Sequence, residues 1–332
     1  MGDPAGIGPE VILKALRSAS VRRALRPVLV GSSEVFRACA RHYGWRLRLE
    51  EYRPGQSAGA DGAVLVHEIP SVKSLPALGA RLRGADRQRC GEASFQSVVA
   101  GVELVQRGEA DALVTAPIAK AHWVAAGHQA AGHTELLAEL AGNVPVRMMM
   151  AGPRLRVVLM TTHVALARVA EEISVELVES TIRITHRALR EQFGFAEPRL
   201  AVAGLNPHAG EGGLFGGEEE SIVRPAVARA RQRGIHVVGP VPADTVFFHA
   251  YHGAYEAVLC PYHDQALGPF KLVHFHDGVN VTLGLPFVRT SPDHGTAFDI
   301  AGENRADPRS MIAALCLAAK LARPQLRLHQ GK

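Results

Sequence analysis

Between Tyr251 and Ile300 the chain gathers a His-Asp pair, a lysine, an asparagine, an arginine and a second Asp-His pair, all set among short apolar runs. The runs Ala257 to Cys260, Val279 to Leu283 and Phe287-Val288 have strand length, carry β-branched or bulky residues, and are bounded by Gly or Pro. Their polar residues fall at strand ends, where a rigid sheet fixes catalytic groups and the loops leave them accessible. His163 follows the apolar run Arg156 to Met160, and His208 follows Leu200 to Ala203, just as His263 follows Ala257 to Cys260. Three neutral imidazoles with an open fourth position form the commonest catalytic site for a zinc-like divalent ion. With 16 histidines in the chain, ordinary surface or core histidines at strand ends are the competing reading.

Lys271, Asn280 and Arg289 form a second set. A point charge, an amide donor and a planar guanidinium fork together suit a phosphate or a carboxylate. Both cations stand in apolar stretches, PFKLV and PFVRT, where a bare charge is costly, and this favours a ligand over plain surface charge. Asp244, Asp264 and Asp293 are candidate proton acceptors or partners that orient a histidine, and sequence does not choose among them.

These groups need a scaffold, and the hydrophobic pattern supplies an α/β one. The opening GDPAGIGPEVILKAL reads as a glycine-punctuated loop, with Pro9 at the first turn of a helix running from Glu10 to about Arg17. That loop could hold an anion or simply turn; its spacing is neither a dinucleotide fingerprint nor a Walker loop. An α/β chain normally places a strand before such a loop, and the sequence has no room for one. Strand-like runs at Pro27 to Val30, Ala112 to Thr115, Met148 to Ala151, Arg156 to Met160 and Leu200 to Ala203 alternate with helices. The expected helices include 92 to 107, Glu171 to Phe193, Glu218 to Gly234 and 305 to 322. Gly132-His133-Thr134-Glu135 opens another, where His133 and Thr134 suit a phosphate or carboxylate, although a capping role for Thr134 is the simpler local reading.

Composition narrows the function. A chain of 332 residues, 47% hydrophobic, can bury a large core and has enzyme size. The net charge of +5 comes from scattered Lys and Arg, and with only 5% aromatic residues there is no stacking platform or basic stripe, so nucleic acid is not the expected partner. A mildly basic enzyme that draws in an anionic metabolite accounts for the same balance. Cys39, Cys90, Cys260 and Cys316 form no CxxC pair and read as reduced thiols. No apolar run reaches membrane-spanning length and no signal-like segment opens the sequence, so a soluble, cytoplasmic protein is expected.

Motifs along nearly the whole chain carry a specific resemblance: GDPAGIGPE at 2–10, TAPIAK at 115–120, GHTE at 132–135, TTHVAL at 161–166, LNPHAGEGG at 205–213, PADT at 242–245, YHDQ at 262–265 and GVNVTLGLPFVRTSPDHGTAFDIAG at 278–302. In this order they resemble the 4-hydroxythreonine-4-phosphate dehydrogenases, NAD-dependent enzymes of pyridoxal phosphate biosynthesis. The last motif is also similar to the nucleotide loop of isopropylmalate and isocitrate dehydrogenases. The resemblance implies an α/β fold of the isocitrate/isopropylmalate dehydrogenase type, with two α/β subdomains and a central cleft. Residues 1–332 would then form one catalytic unit of two interleaved subdomains.

The resemblance further implies that His163, His208 and His263 bind one divalent metal ion (zinc, magnesium or cobalt), the third ligand coming from the partner subunit of a homodimer. It implies that His133, Thr134, Lys271, Asn280 and Arg289 hold a phosphorylated substrate, and that His294, Gly295, Thr296 and Ala297 approach NAD or NADP. Asp244 and Asp264 are the catalytic candidates. The implied reaction oxidises a hydroxyl by hydride transfer and then releases carbon dioxide from the resulting β-keto acid. Relatives that act on phosphorylated threonate or erythronate, or on aromatic dihydrodiols, share the same motifs.

Overall fold

The computed structural model describes residues 1–329 apart from 57, 70–74, 77, 78, 80, 81, 130 and 131. The chain divides into two compact units: unit 1 is Met1–Val144 with Leu285–Lys320, and unit 2 is Pro145–Gly284 with Leu321–Lys332.

Unit 1 begins with α1 (Gly8–Leu16), α2 (Ala19–Ala24), β1 (Val28–Gly31), α3 (Ser33–His42), β2 (Leu49–Glu51) and β3 (Val64–Glu68). It continues through α4 (Gly84–Gln106), β4 (Ala112–Val114), α5 (Lys120–Ala125) and α6 (His133–Leu140). Unit 2 follows with β5 (Arg147–Ala151), β6 (Arg156–Leu159), α7 (Val169–Glu172), α8 (Val175–Glu191), β7 (Leu200–Ala203) and α9 (Arg224–Gln232). Then come β8 (Val237–Val241), α10 (Ala243–Tyr251), β9 (Ala257–Cys260), α11 (His263–His274) and β10 (Val279–Leu283). The chain returns to unit 1 with β11 (Val288–Pro292), and α12 (Arg309–His329) closes the described residues.

In unit 1 the strands β1-β3-β2 pair in parallel, and β4 pairs in parallel with β11, Arg289 opposite Leu113. In unit 2 the strands run in the order β10-β5-β6-β9-β7-β8. The pairs β10/β5 and β5/β6 are antiparallel; β6/β9, β9/β7 and β7/β8 are parallel. All four residues of β7 and of β9 are buried, as expected of parallel strands covered on both faces, and this explains their unbroken apolar sequences. Val157, Leu159, Ala201, Val258 and Phe270 form the centre of the unit 2 core; Leu29, Phe36, Cys39 and Val66 do so in unit 1. None of the four cysteines is paired, and burial pushes the Cys39 and Cys90 thiols up to about 12. No described helix is long and apolar enough to cross a membrane.

The structure departs from the sequence pattern at several element ends. The helix expected over Glu171 to Phe193 is broken at Ile173-Ser174, because the Ser174 hydroxyl accepts from the Leu177 amide (3.1 Å) and starts α8 afresh. α4 starts at Gly84, well before residue 92, with Asp86 closing its first turn by accepting from Arg83 N at 3.3 Å. α12 starts at Arg309, after Pro308, and not at 305. Residues 1–7 form no strand; the nitrogen of Met1 donates to Val30 O (2.8 Å), which lays the start of the chain alongside β1.

Candidate active site

In unit 2 the chemistry gathers after four neighbouring parallel strands. β6 leads to His163, β9 to His263 and Asp264, β7 to the loop with His208, and β8 to Asp244. Ligand sites in open parallel sheets form at these carboxyl ends. The pairing of β6 and β9 continues past their last residues, with Met160 N donating to Cys260 O (2.9 Å) and the Thr161 hydroxyl to Pro261 O (2.7 Å). That extension sets the His163 and His263 rings side by side, 5.9 Å between centroids. His263 Nδ1 donates to Asp264 Oδ1 at 2.7 Å, which orients the ring and leaves Nε2 outside that bond. Two imidazoles so placed fit a divalent metal ion, but they need another donor. Among the described residues no three His, Cys, Asp or Glu side chains are gathered closely enough to hold a metal.

His208 is set apart by its backbone. From His208 to Gly213 every residue has a positive φ, including the non-glycine residues His208 (52°), Ala209 (53°) and Glu211 (42°). Left-handed backbone costs such residues about 1–2 kcal/mol each, so the surroundings must enforce it. The turn is held from inside by Asn206 O accepting from Ala209 N (3.1 Å), and at its exit by Phe215 N donating to Gly210 O (3.2 Å). Gln265 of α11 donates to Gly204 O at 2.8 Å, tying the helix that starts at His263 to the same loop. Asp244 is exposed in the first turn of α10, which packs against this turn.

In unit 1 Thr115 and His133 lie near Arg289. The arginine lies on β11, only 2% exposed, and its Nη2 donates to the hydroxyl of Thr115, just past β4, at 2.6 Å. Burial lowers this guanidinium to about 10, so it stays charged at neutral pH. His133 opens α6 with Nε2 buried and without a hydrogen-bond partner among the described residues. Burial first, then Arg289 and Lys120, hold its imidazole well below the ordinary value of 6.5. Lys120 lies across the start of the same helix, since a Cβ on Gly132 would stand 3.4 Å from its Nζ. Thr134 does not cap α6: the N-cap position is Gly132 and no side chain accepts there, so its hydroxyl is left for other partners. Thr115 and Lys120 escaped the sequence reading of roles, although both lie within TAPIAK.

Lys271 corrects one part of that reading. Its apolar neighbours do not enclose it, for PFKLV lies within α11 and Leu272 is 86% exposed. Asn280 on β10 donates to Met148 Sδ (3.3 Å) and keeps a buried Oδ1 with no partner among the described residues, so it can still accept a hydrogen bond. Neither Lys271 nor Asn280 lies at a strand end.

After β11, the segment from Asp293 to Ala297 is irregular, with Ala297 at φ 41°. His294 Nδ1 lies 3.1 Å from Gly295 O, and its buried Nε2 has no partner among the described residues. The opening glycine loop packs directly on this segment. Ile7 N donates to Thr296 O at 2.9 Å, and a Cβ on Gly6 would fall 2.9 Å from that oxygen, so the close approach needs glycine. The same loop is anchored by fully buried Asp3, whose Oδ2 accepts from His122 Nδ1 at 2.6 Å and whose Oδ1 accepts from Ala5 N at 3.0 Å.

Residues 23–318 match the family described as pyridoxal phosphate biosynthetic protein PdxA. The chain is 49% identical over 324 residues to the 4-hydroxythreonine-4-phosphate dehydrogenase of Geobacter metallireducens, covering 97% of this chain and 94% of that one. Its fold matches the crystal structure of a 4-hydroxythreonine-4-phosphate dehydrogenase from Burkholderia phymatum with a TM-score of 0.85 and 40% identity, over 97% and 96% of the two chains. It also matches a terephthalate 1,2-cis-dihydrodiol dehydrogenase from Burkholderia xenovorans, with a TM-score of 0.65 and 31% identity over 96% of each chain.

Proposed function

The chain belongs to the family of the pyridoxal phosphate biosynthetic protein PdxA, and from that membership we propose that it is a 4-hydroxythreonine-4-phosphate dehydrogenase. It oxidises 4-phosphohydroxy-L-threonine with NAD or NADP, and the β-keto acid so formed loses carbon dioxide to give 3-amino-2-oxopropyl phosphate. The observation that carries the phosphorylated substrate is Arg289, a charged guanidinium at 2% exposure bonded to Thr115 beside a neutral His133. A phosphate accepts two parallel bonds from such a fork, and in a dry setting they are stronger than in water. His133, Thr134, Lys271, Asn280 and Arg289 are the groups we assign to the substrate.

His163, His208 and His263 are the residues that would hold the divalent metal, one of them supplied by a second copy of the chain. When bound, such an ion polarises the substrate hydroxyl and lowers its pKa. NAD or NADP, against His294, Gly295, Thr296 and Ala297, supplies the hydride acceptor. Asp244, exposed beside the His208 turn, takes the hydroxyl proton, while Asp264 acts through His263 by fixing its ring. The homodimer is supported by apolar side chains left in water on unit 2, among them Leu166, Leu214, Phe215, Phe248, Leu272 and Phe275. Several stand close in sequence to His163, His208 and Lys271.

A carboxylated dihydrodiol would also meet an arginine favourably, so substrate choice is decided by turnover. NADH or NADPH formation is measured with 4-phosphohydroxy-threonine, 4-phospho-threonate, 4-phospho-erythronate and a terephthalate dihydrodiol, each with and without a chelator. Chelator-sensitive turnover of the first alone is expected. Turnover of only one of the others would move the protein to a catabolic role and overturn the substrate assignment.

A further inference from the structure

Glu219 is fully buried, at 0% exposure, although it sits in the run Glu218-Glu219-Glu220, which a sequence reader takes for a solvated face. It opens a π-helical turn, Glu219–Val223, that feeds α9. Such turns recur at functional sites. Among the described residues its carboxylate is met by amides and not by a cation. Oε1 accepts from Asn206 N at 2.7 Å and Oε2 from Asn206 Nδ2 at 3.0 Å, while the other side-chain amide hydrogen of Asn206 goes to Glu218 Oε2 at 2.8 Å. A Cβ on Gly210 would lie 2.7 Å from Glu219 Oε2, so the same carboxylate also lies against the middle of the left-handed turn.

We propose that Glu219 is a positioning residue, which fixes the left-handed turn that presents His208 to a divalent metal. The inference rests on the reading of His208 as a metal ligand. A segment with every φ positive from His208 to Gly213 persists only where its neighbours over-determine it. Glu219 grips its entry through both nitrogens of Asn206 and leaves room at Gly210 for no side chain. Glutamine at 219 has the same shape but one acceptor fewer: its amide NH2 would face a donor of Asn206, so the two bonds cannot both survive. The turn then relaxes and the His208 ring loses its place, while the β7 strand before it keeps its pairing.

The test compares wild-type protein with Glu219→Gln and His208→Ala, using Co²⁺ alone as the probe. The readouts are its dissociation constant by chelator competition, its visible absorption when bound, and the melting temperature of the metal-free protein. For Glu219→Gln the expected result is cobalt binding weakened about tenfold or more, the loss typical of groups that orient a ligand. It comes with an altered spectrum, a lower kcat, an unchanged KM for the nicotinamide cofactor and a cooperative melt. Wild-type cobalt affinity and spectrum in Glu219→Gln, beside weakened binding in His208→Ala, would overturn the role of Glu219 and leave His208 a ligand. Wild-type cobalt binding in His208→Ala would instead remove the ligand reading itself. If Glu219→Gln does not fold, Glu219→Asp withdraws the carboxylate by one methylene and keeps its charge. A folded Glu219→Asp with unweakened cobalt binding would overturn the proposal equally.

Discussion

Burial acts on Arg289 and His133 in opposite senses for a ligand. It lowers the guanidinium only to about 10, so one fixed positive charge remains, whereas it keeps the imidazole neutral. Removing the charge with Arg289→Ala should raise KM for the phosphorylated substrate by roughly 10- to 100-fold, the worth of a charge-assisted hydrogen bond, and leave KM for NAD little changed. Steady-state kinetics with each substrate varied in turn checks it; equal effects on both would show the phosphate is held elsewhere. His133 also has a pH signature. Its folded pKa lies well below 6.5, so below that pH the unfolded chain takes up a proton that the folded chain refuses. Stability from this group is thus fully present above 6.5 and falls as pH drops through it. Melting temperatures of wild-type protein and His133→Gln, scanned from about pH 8 to pH 5, should run parallel above pH 6.5 and separate below it, the wild type falling more steeply; equal slopes below 6.5 would count against the buried neutral imidazole.

At the scale of elements, the strands were the legible part. β7 and β9 are unbroken apolar runs because both faces are covered, and the histidines stood out because each follows such a run. Helix ends were less legible. Ile173-Ser174 keeps the apolar spacing of a helix, and only the bond of the Ser174 hydroxyl to Leu177 N turns it into a break. Environment was least legible of all. Lys271 and Arg289 sit in similar apolar stretches, yet one lies half-buried on a helix between buried Phe270 and exposed Leu272, and the other on a buried strand. The left-handed turn at His208 left only a glycine-rich hint, since Ala209 and Glu211 adopt it without being glycine. Gly6 shows the opposite case, a glycine whose meaning lies in a loop nearly three hundred residues away. In Gly6→Ala a Cβ would meet Thr296 O at 2.9 Å, so the two loops must separate. We expect KM for NAD to rise severalfold with kcat on saturating cofactor largely kept; unchanged cofactor affinity, read by fluorescence titration of NADH, would argue that the 294–297 segment does not touch it.

At the scale of the whole molecule, the apolar side chains that unit 2 leaves in water are where the proposed homodimer is tested. Leu272 and Phe275 lie on and just after α11, the helix that starts at His263 and carries Lys271. A Leu272→Glu, Phe275→Glu double variant should sediment as a monomer and lose chelator-sensitive turnover together with dimerisation. A monomeric variant with full activity would mean that one copy completes the site. The divided layout of unit 1 has a consequence for the way the chain is made. Among the described residues β4 pairs with β11 alone, yet all the described strands of unit 2 are encoded between them. At about 5–20 residues per second, synthesis leaves roughly 10–35 s between Leu113 and its register partner Arg289. Throughout that interval the nascent chain displays β4 with neither edge paired, and a polypeptide stalled ahead of Val288 offers that bare strand to chaperones, proteases and its own neighbours on the polysome.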